Sequence, residues 1–230
     1  MVSKEEFLKS ITDFELRVNE AISETERFPI YDGAINPERY FDVLKTTNAP
    51  RLMYLLKEAY DEDGGGWAYR DLFKTGADEL LKKPTWSTLA YSSYGIQENL
   101  LWNDMPFIKE DSSVKESLND VCIVNIQKLP GLNGSRTNMN DIRKAYKNHK
   151  AFIDEQIDFY KPNIIICGGT FSVLREETSY DFVDWVGEVE IYERNGIHYI
   201  DAYHPSYRGI GQEVYVDDLV NTFRKLKNVK

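Results

Sequence analysis

Three short segments of the sequence carry polar side chains at the end of an apolar run. They are Lys57-Glu58-Ala59-Tyr60, Asn125-Ile126-Gln127-Lys128 and His204-Pro205-Ser206. A carboxylate can orient or activate water, and an imidazole can donate a hydrogen bond or take part in proton transfer. An amide both donates and accepts, which suits the edge of a heterocyclic base. Each segment alone is a weak signal, but together they predict a site that holds a base.

The segments follow runs with the character of buried strands. Strands are predicted over 51–59, 120–128, 163–169 and 197–203, and the first two are continuously apolar in the middle. The run over 163–169 ends in glycines. In an open parallel sheet the ligand lies beyond the carboxyl ends of the strands, so we expect the polar segments to converge there.

Helical patterns separate these strands. They cover 68–83, 86–101, 141–160 and 212–226, and the alternation predicts a largely parallel sheet covered on both faces. The Asn195-Gly196 dipeptide predicts a hairpin before the last strand. We therefore predict a three-layer α/β/α domain over residues 49–230.

Residues 1–48 are predicted to form an N-terminal helical extension packed on this domain. Ser3 and Glu6 have the spacing of a capping box, which favours a helix over 3–25 outside the central sheet. Asn36-Pro37 is typical of the start of a second, short helix.

The net charge of −10 argues against a nucleic-acid partner, because phosphate contacts dominate such affinities. A DNA-binding face would need the basic side chains to gather locally, and Lys128, Arg136 and Arg208 are the candidates for such a face.

Cys122 and Cys167 each lie in an apolar run and are expected to be buried free thiols. With three histidines they give no metal-ligand spacing, so we expect no zinc, no iron–sulfur cluster and no other cofactor. No apolar run approaches the roughly 20 residues that cross a bilayer, and the N-terminus lacks the apolar core of a signal peptide. We expect a cytoplasmic monomer that does not bind membranes.

Four segments occur in an order typical of one superfamily. They are MYLLKEAYDEDGGGW, DVCIVNIQKLPGLNGSRTN, FIDEQIDFYKPNIIICGGTFSVL and IDAYHPSYR. Over residues 51–226 the set resembles the uracil-DNA glycosylase superfamily, most closely its thermophile-type branch. That branch has Gly-Glu-Ala-Pro-Gly in the first segment, and Asn-Val-Val-Lys followed by Pro-Gly and Asn-Arg-Thr in the second. The fourth segment is similar to the superfamily's His-Pro-Ser motif.

The resemblance implies a monofunctional DNA glycosylase of base-excision repair that hydrolyses the bond between deoxyribose and a flipped-out uracil or related modified pyrimidine. The reaction builds positive charge on the sugar and negative charge on the base. Glu58 would orient or activate the water and offset the sugar's charge, and His204 would donate a hydrogen bond to a carbonyl oxygen of the leaving base. Asn125 would read the Watson–Crick edge of the base.

Other residues would hold the DNA. Trp86 stands near the family's stacking phenylalanine and is the first choice for the aromatic wall, with Trp67 and Tyr60 next. Ser206 would hold a backbone phosphate. Residues after it would fill the gap left in the duplex, the candidates being Tyr207 and Arg208.

The sequence departs from the family at the floor of the pocket. Lys57 replaces a glycine and Tyr60 a proline on either side of Glu58 and Ala59, and the cluster-binding cysteines of the thermophile-type branch are absent. A shift of one residue instead places Glu58 on the aspartate of the superfamily's Gly-Gln-Asp-Pro-Tyr motif. Either register leaves Glu58 in the site.

Three alternatives remain open from the sequence. In the first, the base is a phage-modified pyrimidine removed in defence. In the second, the chain is a relative without catalysis that binds nucleic acid or protein, which the acidic charge favours. In the third, Cys167-Gly168-Gly169-Thr170 is the phosphate turn of a nucleotide binder, although no Gly-x-Gly-x-x-Gly motif or P-loop lysine is present.

Overall fold

A computed structural model of the chain describes residues 2–131 and 137–228 and places seven strands of this part in one sheet. The strands are β1 Gly33–Ala34, β2 Leu52–Leu56, β3 Cys122–Asn125, β4 Ile164–Gly168, β5 Asp181–Val186, β6 Val189–Arg194 and β7 Ile197–Ala202. Their order is β1-β3-β2-β4-β7-β6-β5. The central strands β3, β2, β4 and β7 are parallel, and β1, β6 and β5 are antiparallel to their neighbours.

Helices cover both faces of this sheet. They are α1 Lys4–Ile22, α2 Pro37–Lys45, α3 Tyr69–Leu80, α4 Pro84–Glu98, α5 Ser112–Glu116, α6 Met139–Tyr160, α7 Phe171–Glu177 and α8 Gln212–Asn228. Alternate side chains of β2 enter two separate cores. Tyr54 packs with α3, α4, α5 and α8, whereas Leu55 packs with α1, α2, α6 and α7. The predicted α/β class with helices on both faces is confirmed.

Local signals in the sequence correspond to observed elements. Ser3 and Glu6 form the predicted capping box at the start of α1. Asn195 and Gly196 both have positive φ, 54° and 75°, as the tight turn between β6 and β7 requires. Cys122 and Cys167 are buried free thiols, as predicted. No helix among the described residues is long and apolar enough to cross a membrane.

Three elements were not predicted: β1, β5 and α5. β1 is only two residues long, so it leaves no periodic pattern, and most side chains of β5 are exposed. Because β1 pairs with β3, the N-terminal segment contributes a strand to the sheet as well as helices.

Lys128 does not contribute to a basic face, and that prediction is wrong. Its ammonium is fully buried and donates to both carboxylate oxygens of Asp32, at 2.9 and 2.8 Å, and to Gln156 Oε1 at 2.7 Å. Asp32, just before β1, supplies the counter-charge that allows this burial. Arg136 lies outside the described residues, and Arg208 is exposed.

The ion pair also holds the end of β3. The Asn125 backbone N–H donates to Asp32 Oδ2 at 2.7 Å, and Gln156 Nε2 donates to Asp32 Oδ1 at 2.8 Å. Burial lowers the pKa of Lys128, and the charge of Asp32 opposes that effect. The carboxylate thus ties β1, β3 and α6 together below the carboxyl edge of the sheet.

Removing one partner of this pair should destabilise the fold. We expect Asp32→Asn to lower the free energy of unfolding by about 3–5 kcal/mol, because it leaves the Lys128 ammonium buried without its counter-charge. Adding Lys128→Met should cost less than the sum of the two single changes. Urea denaturation measures both. Lys9→Gln, which breaks the exposed Lys9–Asp13 pair, is the control and should have a much smaller effect. Equal effects of Asp32→Asn and Lys9→Gln would contradict a structural role for the buried pair.

Candidate functional site

A cavity of about 450 Å³ opens at the carboxyl edge of the parallel strands. Eight of the residues proposed for the site line it: Glu58, Ala59, Tyr60, Trp67, Trp86, Asn125, His204 and Ser206. Tyr207 and Arg208 do not line it and lie exposed on the loop beyond. Tyr207 stacks on Tyr203, with ring centroids 4.6 Å apart. The structure therefore brings the three polar segments into one cavity.

Backbone pairing beyond the ends of β2 and β3 builds one wall. The N–H groups of Ile126, Gln127 and Gly131 donate to the carbonyls of residues 56, 57 and 59, at 2.9, 2.8 and 2.7 Å. A Cβ on Gly131 would lie 2.9 Å from the Tyr60 ring and 3.2 Å from the Glu58 carboxyl carbon. Glycine at this position therefore lets Glu58 and Tyr60 pack at the cavity wall.

The end of β4 lies between β2 and β7, and its glycines let those two strand ends meet. A Cβ on Gly168 would lie 2.6 Å from Leu56 and 3.1 Å from Pro205. At Gly169 φ is +67°, and a Cβ would lie 3.2 Å from the Lys57 side chain. A larger residue at either position would separate the Lys57-Glu58 segment from the His204 loop.

Two of the polar groups in the predicted phosphate turn are already engaged within the protein. The Gly169 N–H already donates to Cys167 O at 2.8 Å and Ala202 O at 2.7 Å. The Thr170 hydroxyl is buried and donates to Leu55 O at 2.8 Å. Neither donor is free for a phosphate, so the glycines serve packing.

His204 is held as a neutral ring. Its Nδ1 accepts from the Ser206 backbone N–H at 3.2 Å and from the Ser206 hydroxyl at 2.9 Å. Since Nδ1 accepts, the ring proton is on Nε2. Burial, and then the charge of Lys57, lower the pKa of His204 from 6.5 to about 4. Both Ser206 groups orient the imidazole in this structure, and the phosphate contact of Ser206 stays a prediction.

Asn125 has an unused acceptor in a buried position. The residue is 2% exposed, and its Nδ2 donates to the Tyr69 hydroxyl at 2.8 Å. Its Oδ1 is buried and has no hydrogen-bond partner among the described residues. An unsatisfied buried acceptor costs about 1–3 kcal/mol, a cost that a ligand donor in the cavity would remove.

Glu58 lies at the rim and has one hydroxyl partner. The Tyr60 hydroxyl donates to Glu58 Oε1 at 3.1 Å and lies 2.9 Å from Thr137 Oγ1. Asp61 is engaged elsewhere, since its carboxylate accepts from the Trp67 indole at 2.8 Å and from two backbone N–H groups of the glycine-rich turn. Although burial alone would raise the pKa of Asp61, these hydrogen bonds lower it.

The aromatic wall belongs to a larger cluster. Trp86 is 9% exposed, and its ring lies 5.3 Å from both Tyr69 (interplanar angle 79°) and Phe73. Trp67 also lines the cavity and meets Tyr69 edge-on at 5.5 Å. Trp86 is therefore anchored in the core at the cavity wall.

Among the lining residues that sequence reasoning missed are the two whose hydroxyl groups contact Asn125 and Tyr60, and it misjudged a further one. Tyr69 and Thr137 gave no signal, because one begins a helix and the other lies in a polar loop. Lys57 was noted only as a departure from the resembled motif, yet its side chain lines the cavity.

Comparison with known proteins adds no relative. No protein-family model matches the chain, and no curated protein matches it significantly. Among the described residues no group of three or more histidines, cysteines and carboxylates is placed to hold a metal.

The pKa of His204 can be measured directly. We expect NMR to find the Nε2-protonated neutral ring at pH 7 and a protonation midpoint near pH 4. The unfolded chain, with a midpoint near 6.5, binds more protons across this interval, so stability should fall as the pH drops from about 6.5 towards 4. Lys57→Met should raise the midpoint but leave it below 6.5, because burial is the larger cause. A midpoint near 6.5 in the parent protein would contradict the neutral, partly buried ring.

Proposed function

We propose that the protein is a DNA glycosylase with a uracil-DNA glycosylase-like fold. It acts as a cytoplasmic monomer and hydrolyses the N-glycosidic bond of uracil or a related modified pyrimidine flipped out of DNA. The observation that carries this proposal is the unpartnered Asn125 Oδ1 in a cavity shared with Glu58 and the Nε2–H tautomer of His204. This set supplies an acceptor for a base N–H, a donor for a base carbonyl and a carboxylate for water.

The cavity suits a single base. Its volume of about 450 Å³ is within the roughly 300–1,000 Å³ of small-molecule sites, and Trp86 and Trp67 provide apolar wall. In this structure Asn125 Oδ1 would accept from the base, while its Nδ2 donates to the Tyr69 hydroxyl. Because the Tyr69 hydroxyl can also donate, a rotated amide would present Nδ2 to a different base edge.

The reaction needs only groups already in the site. As the bond between C1′ and the base nitrogen breaks, its electron pair moves onto the base, and Nε2–H of His204 donates to the base oxygen. A neutral donor serves this step and leaves no buried imidazolium to stabilise. Glu58 orients a water on the sugar side and takes its proton as oxygen bonds to C1′. Within residues 2–131 and 137–228 the site holds no set of metal ligands, and we propose no cofactor.

Two observations favour a second candidate, a non-catalytic binding relative. The net charge is −10, and Lys128 is not available on the surface. Such a protein would bind DNA or another protein without releasing a base. Binding and cleavage must therefore be measured on the same substrates.

The deciding experiment offers the protein single- and double-stranded oligonucleotides that each contain one altered base. We expect release of uracil or a modified pyrimidine, seen as strand breaks after alkali, and we expect the activity to survive chelator. Bound but uncleaved DNA with every base would instead support the binding relative, and loss of activity in chelator would contradict the metal-free mechanism.

Variants in the same assay assign the roles. Glu58→Gln keeps an oxygen for the Tyr60 hydroxyl, and we expect it and His204→Ala each to slow single-turnover cleavage by roughly 10²-fold or more with little change in DNA binding. The exposed neighbour Glu62 provides the control, since Glu62→Gln should cleave at the parent rate. Parent rates for both site variants, with unchanged thermal midpoints, would show that the active site is elsewhere.

Asn125 should decide which base is accepted. A carboxylate only accepts hydrogen bonds, so Asn125→Asp should damage discrimination among bases, with a loss on the order of 10³-fold on the preferred base. Tyr69→Phe removes the hydroxyl that accepts from the amide and should cause a smaller loss. Relative rates across the base panel measure both. An unchanged profile for Asn125→Asp would show that Asn125 is only structural.

A further inference from the structure

Lys57 places a positive charge in the cavity that no described residue neutralises. The residue follows β2 and is half-buried, and its side chain lines the cavity. Its Cε and Nζ lie 3.2 and 3.3 Å from the position that a Cβ on Gly169 would occupy. The lysine side chain therefore packs over this glycine at the end of β4. None of the ion pairs or side-chain hydrogen bonds among the described residues involves its ammonium, and Glu58 acts on it only through longer-range attraction.

The cation lies on the His204 side of the site. The same Gly169 position lies 3.5 Å from the His204 backbone nitrogen, and the Lys57 charge lowers the pKa of His204. Burial of an ammonium without a counter-ion is unfavourable, and it lowers the pKa of Lys57 although the charge of Glu58 opposes the shift. An anion bound beside Lys57 and the neutral imidazole would relieve this cost.

The site is therefore polarised from one side to the other. Glu58 is held at the rim by the Tyr60 hydroxyl, and the cation of Lys57 adjoins the His204 loop across the end of β4. Cleavage of an N-glycosidic bond separates charge in the same sense, positive on the sugar and negative on the base. Groups placed in advance where charge develops lower the barrier most.

We propose that Lys57 is a catalytic residue that stabilises the negative charge of the departing base together with His204. This inference rests on the proposed function. The electron pair of the broken bond moves onto the base ring, and the Lys57 ammonium and His204 Nε2–H share the resulting charge. Water adds to C1′ and gives its proton to Glu58, and the base anion takes a proton from solvent on release.

The test compares two leaving groups in one sequence context. Fluorine at C5 stabilises the pyrimidine anion, so 5-fluorouracil needs less help than uracil in leaving. We expect Lys57→Met to slow single-turnover release of uracil by roughly 10²-fold, as for loss of one donor to a developing anion, and release of 5-fluorouracil by clearly less. Lys57→Arg retains the charge and should recover part of the rate with uracil.

Controls separate this role from others. Lys82→Met removes an exposed lysine that does not line the cavity, and it should change neither rate. Equal slowing of both bases by Lys57→Met, or weaker DNA binding with an unchanged chemical step, would overturn the proposal in favour of structural support or a phosphate contact. A covalent complex trapped by borohydride would also overturn it, because Lys57 would then be a nucleophile.

The two proposals fail in different ways. If the parent protein releases uracil or 5-fluorouracil while Lys57→Met and Lys57→Gln match it, only the role of Lys57 is wrong. If the parent protein releases no pyrimidine from the whole panel of altered bases, the proposed function is wrong and the role of Lys57 falls with it. The thermal midpoint of every Lys57 variant must equal that of the parent. If Lys57→Met is unstable, Lys57→Gln is used in its place.

Discussion

The buried ion pair between Asp32 and Lys128 is the interaction on which the arrangement of the site depends. Its partners are 96 residues apart in the chain, and both side chains are almost completely inaccessible to solvent. A charge in that position is tolerated only when its hydrogen-bonding capacity is filled, here by Gln156 and by the backbone N–H of Asn125. The pair therefore holds β1 against β3 and fixes the position of the Asn125 backbone at the cavity.

Packing across the end of β4 is the second constraint. Parallel strands are about 4.8 Å apart, so β2 and β7 are separated by the whole width of β4. A side chain at Gly168 would fill the space in which Leu56 approaches Pro205. A side chain at Gly169 would fill the space in which Lys57 approaches the backbone of His204. The absence of Cβ atoms brings together groups from non-adjacent strands, and it also places the Lys57 charge where it suppresses protonation of the imidazole.

These two constraints give the site its electrostatic character. The cavity is lined by the Glu58 carboxylate and the Lys57 ammonium, which both follow β2, by the neutral imidazole that follows β7 and by a second lysine, Lys83, although the chain as a whole carries a net charge of −10. Net charge describes long-range steering of partners, whereas the field inside a partly desolvated cavity is set by the few groups within it. An acidic chain can therefore present a locally positive surface to a leaving base.

The sequence by itself determined the elements and which strand ends carry chemistry. Apolar runs such as 51–59, the Ser3 capping box and the Asn195-Gly196 turn are local signals, because they depend on side chains that are close in the chain. The rule that parallel strands present their carboxyl ends at one edge then placed Glu58, Asn125 and His204 together. That reasoning needed no knowledge of side-chain direction.

Only the tertiary structure decided the direction and partners of each side chain. Lys128 has the sequence position of a surface cation, yet Asp32 from the N-terminal segment draws it into the interior. Lys57 was noted only as a departure from a motif, and its side chain lines the cavity because β4 ends in glycines. The tautomer of His204 and the open acceptor of Asn125 likewise depend on hydrogen bonds with defined geometry, and the contact of Asn125 with Tyr69 joins residues 56 positions apart. Spacing along the chain carries no information about such contacts, since each depends on the relative position of elements that only the packed core establishes.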